Sequence, residues 1–84
     1  MKVTVWHASW CGPCRATLRD VVPLIEATGV DVETIDIEER PTEAAKTGVD
    51  KLPTITVTDE GKTLIRSVGR PNEDAIAAII KACS

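Results

Sequence analysis

Tyrosine and phenylalanine are absent from this 84-residue chain, and Trp6 and Trp10 are its only aromatics. Any core must therefore be aliphatic, drawn from the Val, Ile, Leu and Ala that supply most of the 43% hydrophobic fraction. No apolar run approaches the roughly 18 residues that a membrane span needs. The opening MKVTVWHASW alternates like a strand, where a secretion signal would carry a continuous apolar stretch, so a cytoplasmic protein with no membrane partner is expected. Positive charge is not in excess either: the net charge is −3, with acids and bases interspersed, which argues against nucleic acid as the main partner. Repeats, linkers and low-complexity segments are missing as well, so residues 1–84 are expected to form one small domain with little stability to spare.

Cysteine is scarce, with Cys11, Cys14 and Cys83 only. An odd number with one member far away is not the framework of a disulfide-stapled secreted domain. The pair in SWCGPC then raises a choice between a metal clip, a structural bridge and a working redox pair.

The surrounding pattern places that pair. Lys2 to His7 reads as a strand, with Val3, Val5 and His7 on one face and Thr4 and Trp6 on the other, which makes Trp6 a core residue. From Cys11 an imperfect apolar stripe of Ala16, Leu18, Val21, Val22 and Ile25 reads as a helix kinked at Pro23 and stopped by Gly29. VDVETIDI, Val30 to Ile37, alternates again, so strand, helix and strand form a right-handed βαβ unit with parallel neighbours. RPTEAAKTG carries Pro41 at a helix start and Gly48 after its end. Thr54 to Thr58 and Thr63 to Val68 flank DEGK and read as a hairpin turning at Gly61. A last helix follows RPNED, with Ile76, Ile79, Ile80 and Cys83 on its apolar face, so Cys83 is assigned to packing.

Cys11 and Cys14 thus lie between a strand end and the first turn of a helix, where unpaired N–H groups and the helix dipole favour a thiolate. Cys11 is the expected nucleophile, and Cys14 can attack a mixed disulfide formed on it. Gly12 and Pro13 keep the intervening turn tight. Pro13 has no N–H with which to stabilise the thiolate, which favours a reductant. A metal clip would need further ligands that only His7 and Cys83 could supply, and a second CxxC is missing. A purely structural disulfide across so short a gap closes almost no loop and adds little stability. Both remain alternatives to the redox reading, which the placement favours.

With the pair placed in a βαβ unit, the chain resembles the thioredoxin family nearly end to end. WCGPC is that family's signature, LPT at Leu52 to Thr54 resembles its cis-proline loop, and VG at Val68 and Gly69 falls where it has a glycine beside the active site. The resemblance implies an α/β thioredoxin-like fold in minimal form, a four-stranded mixed sheet flanked by three helices. It implies a cis Pro53 that presents the backbone of Leu52 to an extended substrate segment, a Gly69 that lets the neighbouring chain approach closely, and an apolar rim at Trp10. The implied activity is protein-disulfide reduction by the Cys11–Cys14 dithiol, with no bound cofactor and no metal. Its expected partners are disulfide-containing proteins and a thioredoxin reductase-type flavoprotein in preference to glutathione, and a monomer is expected.

Departures from the family are equally specific. The strand and helix that precede the first strand in thioredoxins are not seen in this sequence. Val5 stands where the family usually has a buried Asp, and Thr34 where it usually has a Lys, a pair thought to move the proton of the resolving cysteine. That proton must leave by water or by His7, which sits where the family usually has Trp and is expected to reach Glu38 on the adjacent strand. CRAT and GRPNEDAI are also similar to small glutaredoxin-like redoxins that donate electrons to ribonucleotide reductase, which would use the same dithiol exchange. A glutathione-dependent glutaredoxin fits less well, because VGRPNED lacks one glycine of the expected motif. A binding subunit that uses the scaffold without turnover is the alternative from another class. Arg15, Lys51 and Arg70 are expected near the site, where they would steer acidic partners.

Overall fold

Strand β1, Lys2–His7, alternates Val3 and Val5 against Thr4 and Trp6, and everything else in the fold is arranged around it. A computed structural model describes residues 1–84. Helix α1, Gly12–Asp20, follows the cysteine turn, and α2, Val22–Glu26, follows α1 directly. Strand β2 is Asp31–Asp36, helix α3 Pro41–Lys46, strand β3 Thr54–Asp59, strand β4 Lys62–Val68 and helix α4 Glu73–Cys83. The sheet order is β2-β1-β3-β4. β1 runs parallel to β2, with Val5 opposite Thr34, and antiparallel to β3, with Val5 opposite Ile55. β3 and β4 form the expected hairpin, turning through Glu60 and Gly61, both at positive φ. The result is the thioredoxin-like fold, a four-stranded mixed sheet with three helical bodies, the first of them in two segments.

That division is sharper than a kink. α1 ends at Asp20, and α2 begins anew with Pro23 in its first turn, where a proline's missing N–H costs nothing. Val21 bridges the break: its N–H donates to Thr17 O at 2.9 Å, and its carbonyl accepts from Leu24 and Ile25. Val21, Val22 and Ile25 therefore still reach the core that the stripe predicted.

One face of the sheet carries most of the core. Val3, Val5, Ile55 and Val57 pack with Val21, Val22, Ile25 and Ile79, and six of these eight have no exposed surface. Burying each such side chain contributes about 1.5–3 kcal/mol. Cys83 packs at the margin of this cluster, as its helical spacing predicts. The opposite face is thinner, with Trp6, Ile35 and Ala44 beside the buried threonines Thr4, Thr54 and Thr56. Trp6 is core as expected, although its buried Nε1 finds no partner.

Candidate active site

Both cysteines lie at the end of β1 where α1 starts. Cys11 is the N-cap of α1 and has extended backbone. Its Sγ accepts a hydrogen bond from the Cys14 N–H at 3.2 Å, so the sulfur occupies the place of a capping oxygen among the free N–H groups of the first turn. Pro13 stands in that first turn and leaves its carbonyl to the Thr17 hydroxyl, at 3.0 Å. The two cysteines are joined as a disulfide, with Cα atoms 5.2 Å apart. Cys14 is 1% exposed and Cys11 6%, so Cys11 offers the more accessible sulfur-bearing residue.

Cys11 opens into a groove of about 550 Å³. Trp10, Gly12 and Pro13 form one side, and Ile37 with the segment Val49, Asp50, Lys51 and Leu52 the other. Gly69 closes it. Trp10 is 66% exposed, an apolar surface held at the rim. The sequence pattern points to Trp10, Cys11, Gly12, Pro13, Lys51, Leu52 and Gly69, and the structure brings all of them together here. Ile37, Val49 and Asp50 also line it without a sequence motif of their own; the nearness of Val49 and Asp50 to LPT is the one signal the sequence offers for them.

The Leu52–Pro53 peptide is cis. Pro53 is buried and does not itself line the groove, and its carbonyl accepts from the Gly69 N–H at 2.8 Å. Gly69 departs from the close approach expected of it. A Cβ there would meet nothing within 4 Å, so glycine is required by the positive φ of 83° and not by a close approach of the neighbouring chain.

His7 and Glu38 do not meet as expected. Glu38 Oε1 accepts from Ser9 Oγ at 3.4 Å, and His7, half-buried, makes no side-chain hydrogen bond. The strand's register explains this. His7 pairs with Asp36, and the chain turns immediately after it, through the Glu38 N–H to Asp36 Oδ1 bond of 2.8 Å, so that Glu38 is directed towards the cysteine turn. Val5 is wholly buried among aliphatic side chains and Thr34 is exposed, so no acid stands behind Cys14; the buried polar side chains are threonines.

The three bases divide. Lys51 lines the groove, Arg15 donates to Ser9 O at 2.8 Å and braces the cysteine turn, and Arg70 lines a separate hollow between α1, α2 and α4 beside Asp20. Cys83 stays a free thiol, its pKa raised by burial. No cluster of three or more His, Cys, Asp or Glu side chains is placed as metal ligands would be.

Known proteins are similar to this chain in sequence and fold. The family model for thioredoxin matches residues 2–82. Thioredoxin from Chlamydia muridarum is 33% identical over 80 residues, covering 89% of this chain and 74% of that protein. Fasciola hepatica thioredoxin superimposes with a TM-score of 0.87 at 30% identity, covering 99% of this chain and 80% of that one. Thioredoxin 1 from Thermosipho africanus also reaches 0.87, at 23% identity, which speaks for the fold alone. These matches favour neither a glutaredoxin-like redoxin nor a scaffold without turnover. The cysteine pair makes the protein a thiol–disulfide oxidoreductase with protein-disulfide reductase activity, and the chain belongs to the thioredoxin family.

Proposed function

We propose that residues 1–84 work as one thioredoxin-like domain in the cytoplasm, as a monomer, reducing disulfide-bearing proteins that dock over the groove. Cys11 attacks as a thiolate. Its sulfur bonds to one sulfur of the substrate disulfide and expels the other as a thiolate. Cys14, deprotonated to water, then attacks Cys11 Sγ and expels the second substrate thiolate, which leaves the Cys11–Cys14 disulfide. A thioredoxin reductase-type flavoprotein returns the electron pair. Gly12 and Pro13 set the turn, Leu52 offers its backbone beside Pro53, Gly69 closes the groove, and Trp10 supplies apolar contact. His7 tunes the second step at most weakly, since nothing hydrogen-bonds it to an acid.

The single observation that carries this reading is the Cys14 N–H bonded to Cys11 Sγ at the start of α1, because that bond strengthens when the sulfur is charged. Insulin reduction driven in turn by dithiothreitol, by a thioredoxin reductase with NADPH and by glutathione tests both activity and donor. Turnover with the first two is expected. No turnover in any of the three overturns the function, and turnover with glutathione alone overturns the donor. The Cys14→Ser variant should accumulate a mixed disulfide with the substrate, and its failure to do so would remove Cys14 as the resolving thiol.

A further inference from the structure

We propose that Arg66, on the outer strand β4 and outside the groove lining, is a positioning residue for protein-disulfide reduction. It fixes the groove wall formed by Val49 to Leu52. The proposal rests on the substrate reading above.

At the end of α3 the chain leaves the helix through Thr47 and Gly48, with Gly48 at a positive φ of 71°. The Gly48 N–H returns to Ala45 O at 3.1 Å and the Val49 N–H to Ala44 O at 3.0 Å, and Val49 packs against the cluster that contains Ala44. This is the glycine-terminated helix end that satisfies two orphan carbonyls through the following N–H groups. It leaves the carbonyls of Thr47 and Gly48 pointing outward, and Arg66 takes both: Nη1 donates to Thr47 O at 2.7 Å and Nη2 to Gly48 O at 2.8 Å.

Two parallel bonds from a rigid guanidinium restrain direction as well as distance. The positive charge also meets the negative end of α3. Arg66 forms no ion pair with an acid, so both of these protein contacts go to this one turn.

The other end of the same segment is tied to the same region. The Gly69 N–H, one residue past β4, holds Pro53 O at 2.8 Å. Thus β4 and the residue after it grip the chain at Thr47 and Gly48 on one side of the groove wall and at Pro53 on the other. The residues between the grips, Val49, Asp50, Lys51 and Leu52, face Cys11 across the groove together with Ile37. Arg66 itself touches neither sulfur nor groove. It acts through the wall.

This placement separates two classes of reaction. A protein disulfide must lie along the wall to reach Cys11, whereas a small dithiol reaches the sulfur without it. Removing the clamp should therefore slow protein substrates and leave small-molecule exchange alone. Arg66→Gln should lose about five- to tenfold in kcat/KM for insulin, the scale expected when charge-assisted bonds that hold a binding surface are removed. Its rate of oxidised-protein reduction by dithiothreitol and its equilibrium with glutathione should stay at the wild-type values. Arg66→Lys, able to reach one carbonyl as a point charge, should recover part of the loss. Hydrogen exchange at the Gly48 and Val49 amides should quicken in Arg66→Gln.

Equal losses towards insulin and dithiothreitol would overturn the proposal by showing a general structural role. So would an Arg66→Gln variant with wild-type insulin kinetics, or one whose Gly48 and Val49 amides exchange at the wild-type rate. A wild-type chain that reduces no protein disulfide would overturn the substrate reading and this inference together, while wild-type activity that survives Arg66→Gln overturns the inference alone.

Discussion

The two faces of the sheet are built for different purposes. Beneath α1, α2 and α4 lies a cluster of eight buried aliphatic residues with no polar member. Under α3, whose Ala44 packs on Trp6 and Ile35 with Ile37, Val49 and Leu52 at the margin, there are otherwise threonines and a charged surface network in which Glu33 binds both Lys2 and Arg40. Stability is concentrated on the first face. The second can be thin because its helix ends in a turn that forms one wall of the reactive groove. A groove wall must be held in place while remaining open to a partner, and hydrogen bonds to exposed carbonyls achieve this where a packed core would close it.

Paired truncations would sharpen this contrast most strongly. Ile55→Ala should destabilise by about 4 kcal/mol and Ile35→Ala by about 2–3 kcal/mol, because the dense cluster around Ile55 cannot collapse into the void as readily. Urea midpoints at a fixed slope measure both, and equal losses would contradict the asymmetry. A smaller effect is expected at the rim. Trp10, 66% exposed, should contribute nothing measurable to the midpoint, whereas Trp10→Ala should lower kcat/KM towards insulin by about fivefold. A drop in stability with unchanged kinetics would make Trp10 a structural residue.

The smallest expected effect belongs to the charged network. Hydrogen bonds from Lys2 and then Arg40 hold the Glu33 carboxyl below the usual carboxylate range. A carboxyl lowered in the folded state favours folding above its unfolded value, and that increment disappears as pH falls through the lowered value. Wild type should therefore exceed Glu33→Gln slightly at neutral pH and converge with it in acid. High salt should shrink the difference. A difference that stays constant with pH would assign it to something other than this ionisation.

Much of the fold was legible because it rests on short-range signals. Alternation in Lys2–His7 and Asp31–Asp36, the Gly61 turn and the apolar spacing of α4 each act within a few residues. WCGPC and LPT marked the two sides of the groove for the same reason. What was not legible depends on residues distant in the chain. The Arg66 bonds span 19 and 18 residues, and no local pattern separates that arginine from any exposed base on an edge strand. Arg70 follows the glycine beside the groove yet turns to the hollow by Asp20, because the chain bends at Gly69 towards the start of α4. Pro23 signalled a disturbed helix correctly. Whether it kinked or restarted the helix depended on Val21 finding Thr17, Leu24 and Ile25 as partners.

The two kinds of thiol in this chain permit an internal test of the chemistry. Cys11 sits at a helix start with an N–H directed at its sulfur, while burial raises the pKa of Cys83 at the end of α4. The rates at which iodoacetamide alkylates each residue of the reduced protein, followed against pH by mass spectrometry of the same sample, compare them directly. The account predicts that Cys11 reacts as a thiolate near neutral pH and that Cys83 stays inert until strongly alkaline conditions. If the two cysteines titrate together in the alkaline range, the helix start does not ionise Cys11 and the mechanism built on it is wrong.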